Sequence, residues 1–220
     1  MQLISAKPYL LLIGVMMLLA ACGQTAVPDQ PTSTATPLPA MATAVPPTIP
    51  ATAATDTLPE GTVAGDLSMG DPYAPELGNT GYDVQHYTIQ MNLDPAQKYY
   101  LDGTVLIDAI AAEDNLGQIS LDFIGFDIEE LLVNGELADY GREDGKLLIT
   151  LPQPLASEER FQLSIAYQGK AVQEPSPYVG FASWVGIFYA EEENIYVLSE
   201  PDGARYWFPN NDHPRDKATF

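Results

Sequence analysis

Gln85-His86-Tyr87-Thr88-Ile89-Gln90-Met91-Asn92-Leu93 alternates residue by residue: Tyr87, Ile89, Met91 and Leu93 share one face, while His86, Thr88, Gln90 and Asn92 share the other. A period of two is the signature of a half-buried β-strand. The same period returns in Val105-Ile107-Ala109, Ile119-Leu121-Phe123, Leu147-Ile149-Leu151 and Phe161-Leu163-Ile165-Tyr167, each bounded by Gly, Asp, Asn or Pro. Asn134-Gly135 and Asp144-Gly145 supply the positive backbone angles of tight hairpin turns. Ile195-Tyr196-Val197-Leu198-Ser199 forms a last strand after the acidic turn Glu191-Glu192-Glu193-Asn194, and no segment carries a long helical period. The expected fold class is therefore all-β: an antiparallel β-sandwich or saddle.

Outward from this patterned region the composition changes. The folded domain is expected to begin at Gly70-Asp71-Pro72-Tyr73 and to occupy residues 70–220. From Gln24 to about Glu60 the chain is Thr, Pro, Ala and Ser with almost no aromatic or charged residues, which cannot bury a core. Proline favours extended conformations of about 3 Å per residue, so residues 22–69 read as a disordered, semi-stiff tether able to reach on the order of 100 Å. Residues 1–21 read as a signal peptide: Lys7 precedes an apolar run from Tyr9 to Ala21, too short for a comfortable membrane span. The run ends in Leu19-Ala20-Ala21-Cys22-Gly23, which resembles a bacterial lipobox and marks Cys22 as the lipidation site. The expected location is extracytoplasmic, held to the cell membrane through the lipid on Cys22. As Cys22 is the only cysteine, a lipidated chain has no thiol left for disulfides or metal thiolates.

With 30 acidic against 9 basic side chains and a net charge of −21, the chain is repelled by phosphate backbones, which excludes nucleic-acid binding. Catalytic signatures are sparse. His86 and His213 are the only imidazoles, and H-E-x-x-H, a Gly-rich phosphate loop and G-x-S-x-G are all absent from the sequence. His86, on the polar face of its strand, reads as a surface or hydrogen-bonded structural residue.

The densest segment is Ser199-Glu200-Pro201-Asp202-Gly203-Ala204-Arg205-Tyr206-Trp207-Phe208-Pro209, continued by Asn210-Asn211-Asp212-His213-Pro214-Arg215-Asp216-Lys217-Ala218-Thr219-Phe220. It resembles the close of the N-terminal β-domain in the aminopeptidase N family of zinc metallopeptidases: a Glu-Pro turn, an Arg, an aromatic-Pro, and Asp-x-Pro before Lys-Ala-Thr-Phe. Gly70-Asp71-Pro72-Tyr73, Gly78-Asn79 and Gly81-Tyr82-Asp83-Val84-Gln85-His86-Tyr87 are similar to the entry segment of secreted bacterial members. The resemblance covers roughly residues 70 to 220, with one departure: many members have cysteine where Asn210 stands.

The resemblance implies a curved, saddle-like domain whose last loop lends a carboxylate to the active site of the next domain, and Glu200 matches that position. Such a carboxylate would face a peptide's free α-ammonium, with charge-assisted hydrogen bonds of about 1.5–3 kcal/mol. It also implies a catalytic zinc in the full-length enzyme, held by two histidines and a glutamate, with a second glutamate as general base. Those residues and the family's Gly-x-Met-Glu-Asn strand are not in this sequence, which is expected to be a fragment with no catalytic or metal-binding residue of its own. Arg205, Asp212 and His213 are expected to hold the loop against the next domain by ion pairs and caps. Trp184, Trp207 and Phe208 are expected to pack in the core or between domains. The competing reading is a non-catalytic, lipid-anchored β-sandwich that binds peptides, glycans or partner proteins.

Overall fold

The computed structural model describes residues 58–178, 184–190 and 194–220, all within one compact unit. The signal peptide, Cys22 and the tether as far as residue 57 lie outside the described residues. Twelve strands follow in order: β1 (Val63–Ala64), β2 (Tyr82–Leu93), β3 (Tyr100–Ala111), β4 (Leu116–Asp122), β5 (Asp127–Val133), β6 (Glu136–Leu137), β7 (Asp139–Glu143), β8 (Lys146–Leu155), β9 (Arg160–Lys170), β10 (Glu174–Pro175), β11 (Trp184–Tyr189) and β12 (Ile195–Leu198). A single 3-10 turn, Ala204–Tyr206, is the only helical element among the described residues.

The strands form a five-stranded sheet ordered β2-β3-β9-β5-β6, a four-stranded sheet ordered β1-β4-β8-β7 and a three-stranded sheet ordered β10-β11-β12. All neighbours are antiparallel except β1 and β4. The two larger sheets bury their apolar faces in one cluster. Val105, Ile107 and Ala109 of β3 and Phe161, Leu163, Ile165 and Tyr167 of β9 meet Ile119 and Leu121 of β4 and Leu147, Ile149 and Leu151 of β8. Each of the larger aliphatic and aromatic side chains contributes about 1.5–3 kcal/mol by leaving water. Phe123 stacks on Phe126, and both present to the Tyr167 ring edge-on at 5.0 and 5.5 Å. The all-β expectation holds, and its physical basis is the strict alternation of these positions.

Three local features refine the sequence reading. A bulge in β2 between Val84 and His86 inserts one residue, so Tyr82 and Val84 before it and Tyr87 after it all face the core despite their change of parity. Asn134-Gly135 and Asp144-Gly145 have φ values of 52°, 83° and 45°, 81°, the left-handed pair that two-residue hairpins require. The packed chain also starts ahead of residue 70. β1 lies alongside β4, the Gly65 N–H donates to the Gln118 carbonyl at 3.0 Å, and Asp66 exchanges hydrogen bonds with Thr80. Apart from the Thr80 hydroxyl, this docking is made by the main chain, so no apolar side-chain pattern announces it.

Candidate functional site

The second face of β4 is not open to water. Opposite its core residues Ile119 and Leu121 lie Ser120 and Asp122, both fully buried beneath the loop 77–81 and the segment 205–212. Asp122 Oδ1 pairs with Lys146 Nζ at 2.6 Å. Its Oδ2 accepts from the Gly78 N–H at 3.2 Å, from Asn79 Nδ2 at 2.9 Å and from the Asp212 N–H at 3.0 Å. Lys146 Nζ also donates to the Gly78 carbonyl. A buried carboxylate is tolerable only when its lone pairs are met in this way.

Asn79 extends the network. Its N–H donates to Asn211 Oδ1 at 2.7 Å, and its side-chain oxygen accepts from the Ser120 hydroxyl at 2.6 Å. The Asn211 N–H donates to the Tyr87 hydroxyl oxygen, and Asn211 Nδ2 donates to Asp216 Oδ2. The segments singled out near residues 78–87 and 210–220 are therefore partners in one joint, although more than 120 residues separate them. Their main chains continue it: the Tyr87 N–H donates to the Thr219 carbonyl, Thr219 returns a bond to Gln85, and Phe220 stacks on Tyr87.

From β12 the chain turns a tight corner. The Gly203 N–H donates to the Ser199 carbonyl at 2.7 Å, and a Cβ on Gly203 would lie 2.1 Å from the Leu198 carbonyl oxygen, so only glycine fits. Asp202 and Arg205 form a buried pair at 2.7 Å, and the Ile124 N–H donates to the Arg205 carbonyl. The Trp207 indole N–H donates to the Ser199 hydroxyl at 3.1 Å, and the Trp207 carbonyl accepts from the Tyr167 hydroxyl at 2.8 Å. Asn210 and Asp122 exchange main-chain bonds, so position 210 is held by its backbone where many family members have cysteine. Glu200, at the start of this corner, is exposed.

The corner forms one wall of a cavity of about 590 Å³. Glu200, Asp71, Asp212 and His213 line it, with Tyr73 and Tyr178 as aromatic walls. His213 Nδ1 accepts from the Arg215 N–H at 3.2 Å, which leaves the ring proton on Nε2, 3.3 Å from Asp71 Oδ2. Burial and the neighbouring Asp122 push the Asp212 carboxyl up to about 7, while Arg205 opposes the rise. Carboxylates with aromatic walls suit a cationic group such as an ammonium. Both His213 nitrogens are engaged, and no group of three or more His, Cys, Asp and Glu that could hold a metal ion is found among the described residues.

Of the residues singled out from sequence, Glu200, Asp212 and His213 converge on this cavity. Arg205 does make an ion pair, but with Asp202 of the same domain, and His213 meets Asp71 of the same domain through its Nε2. Phe208 is buried and meets Tyr87 edge-on at 5.7 Å. Trp184 remains 51% exposed, on a β11–β12 face shared with Tyr196 and Leu198. His86 is structural, with Nδ1 2.7 Å from the Thr219 hydroxyl. Tyr178 of the cavity and the Asp122–Lys146 pair behind it escape the sequence reading, and Asp71, which that reading places in the domain's opening segment, is not foreseen as a cavity residue. The available signal was a charge set into an apolar strand: Asp122 between Leu121 and Phe123, and Lys146 beside Leu147.

Residues 83–220 match the family model of the peptidase M1 N-terminal domain. Among solved structures, the M1 zinc metallopeptidase of Deinococcus radiodurans aligns with 33% identity and a TM-score of 0.61 over 69% of this chain. A glutamate-to-alanine variant from the same organism, bound to a Tyr-Ser-Ala substrate, aligns with 34% identity and a TM-score of 0.61. A two-domain M1 zinc metallopeptidase variant bound to L-arginine aligns with 34% identity and a TM-score of 0.62. The aligned region spans 34% of the length of each of these structures. By the family match and by these alignments, the chain belongs to the M1, or aminopeptidase N, family of zinc metallopeptidases and carries its N-terminal β-domain.

Proposed function

We propose that this chain is the amine-recognising part of an extracytoplasmic, lipid-anchored zinc aminopeptidase, with Glu200 receiving the free N-terminus of a peptide. The observation that carries the reading is the placement of Glu200: an exposed carboxylate on a corner fixed by buried bonds, opening on a cavity with two aromatic walls. A substrate ammonium entering there exchanges water for a charge-assisted hydrogen bond, which an N-acylated or internal peptide cannot supply. Preference for chain ends follows from that difference in binding. The zinc and its ligands belong to the full-length protein beyond the described residues, where the ion would polarise the scissile carbonyl and activate a water. The part played by this domain is to bind and orient the amine.

The test uses the full-length protein with aminoacyl p-nitroanilides and their N-acetyl counterparts. Glu200→Gln is expected to raise KM for the free-amine substrates by about tenfold, a factor that corresponds to about 1.4 kcal/mol of a lost charge-assisted bond. Equal turnover of free and acetylated substrates, or an unchanged KM in the variant, would sink the amine-recognition role. Absence of any zinc-dependent peptidase activity would leave a binding module.

A further inference from the structure

We propose that Trp207 is a positioning residue for Glu200, acting through the Ser199 hydroxyl; the proposal rests on the amine-recognition reading of Glu200. The Glu200 carboxylate has no hydrogen bond or ion pair with any described residue, and among these residues its place is set through the main chain beneath it. That main chain is held from one side by Gly203, whose N–H donates to the Ser199 carbonyl. It is held from the other by the Trp207 indole, whose N–H donates to the Ser199 hydroxyl at 3.1 Å.

Trp207 is itself fixed. Its carbonyl accepts from the hydroxyl of Tyr167, which is fully buried in the centre of β9, and its N–H donates to the Ala204 carbonyl at 3.1 Å. Its ring lies against Phe208 with 4.3 Å between centroids. A continuous series of contacts thus runs from the sheet core through Tyr167 and Trp207 to Ser199, next to Glu200. Phenylalanine at 207 would keep an aromatic ring beside Phe208 and lose the indole N–H together with the bulk of the second ring.

Without that bond, Ser199 and Glu200 sample a wider range of positions. The apparent affinity for an ammonium falls with the fraction of time the carboxylate is in place. Ground state and transition state both carry the ammonium, so the loss appears in KM and leaves kcat nearly unchanged.

In the full-length protein, Trp207→Phe is expected to raise KM for aminoacyl p-nitroanilides about fivefold, the size of one neutral hydrogen bond, with kcat within about twofold. Ser199→Ala removes the same bond from its half-buried other end, with the loss of a single hydroxyl. It is expected to give the same change, and the double variant no more than either single one. A Trp207 that matters only for stability would lower the melting temperature in Trp207→Phe and leave KM unchanged in both variants, overturning the proposal. Multiplying effects of the two changes would also overturn it, since they would then act on separate things. If Glu200→Gln raises KM and these two do not, the positioning role alone falls; if none of the three moves KM, the amine-recognition reading falls with it.

Discussion

Asp212 is a carboxyl whose environment works against its charge. Its backbone N–H is given to Asp122, its Oδ2 is buried without a partner, and Asp122 and Asp202 add negative charge nearby. Burial is the largest influence, and the group titrates near 7 in the folded domain against an ordinary carboxylate value in the unfolded chain. Between those two values the folded state binds more protons than the unfolded state, so stability falls as pH rises from about 4 to about 7. This is opposite to the behaviour of a salt-bridged carboxylate. Asp216, pushed up to about 6 mainly by burial, adds in the same direction. Asp212→Asn keeps the shape and removes the ionisation. The variant is expected to match the parent near pH 4 and to exceed it at pH 8 by on the order of 2 kcal/mol. Thermal melts at the two pH values decide this, and a variant less stable than the parent at pH 8 would show that the charged form is favoured by the fold.

At the scale of elements, the corner after β12 and the β5–β6 hairpin both depend on glycine, for different reasons. Gly203 has ordinary backbone angles but no room for a Cβ, with the Leu198 carbonyl oxygen 2.1 Å and the Gly186 nitrogen 2.9 Å away. Gly135 has open space around it and a φ of +83°. Gly135→Ala is therefore expected to cost about 1 kcal/mol, from conformation alone. Gly203→Ala is expected to cost about 3 kcal/mol, because two backbone segments must move apart. Denaturant unfolding of the two variants gives the comparison, and equal costs would contradict the crowding at the corner.

The same contrast between side-chain pattern and backbone contact explains what sequence could reveal. β2, β3, β4, β8 and β9 each present alternating apolar residues to one core, and their periodicity is visible. β5 is interrupted by an irregularity between Ile128 and Glu130, β7 lies at a sheet edge with little buried, and β1 and β10 are two residues long. None of these leaves a period to detect. Glu200 is recognisable through its Glu-Pro context, whereas Asp71 and Asp212 reach the same cavity from positions 141 residues apart, through a joint whose partners are polar. Tertiary hydrogen bonding of that kind has no sequence period.

For the whole molecule, charge and the proposed anchor pull in opposite directions. A net charge of −21 repels an anionic leaflet, at about 1 kcal/mol per charge close to the surface. That repulsion fades over a Debye length of about 8 Å at physiological ionic strength, far less than the on the order of 100 Å a Pro-rich tether can span. The exposed Trp184, Tyr196 and Leu198 offer some apolar surface, but Glu200 follows directly on the same strand end. In the proposed reading, membrane residence would come from acyl chains on Cys22, and a diacylglycerol would supply the two chains that durable anchoring needs. Residues 1–22 can be replaced by a leader cleaved by the general signal peptidase, so that the mature chain begins at Gly23 without a modifiable thiol. That protein is expected to move almost entirely from the membrane fraction to the soluble extracytoplasmic fraction, while the parent stays with membranes through a high-salt wash. Retention of the exchanged protein on membranes would mean that the folded domain itself holds lipid or a membrane partner, and would remove the reason for assigning the anchor to Cys22.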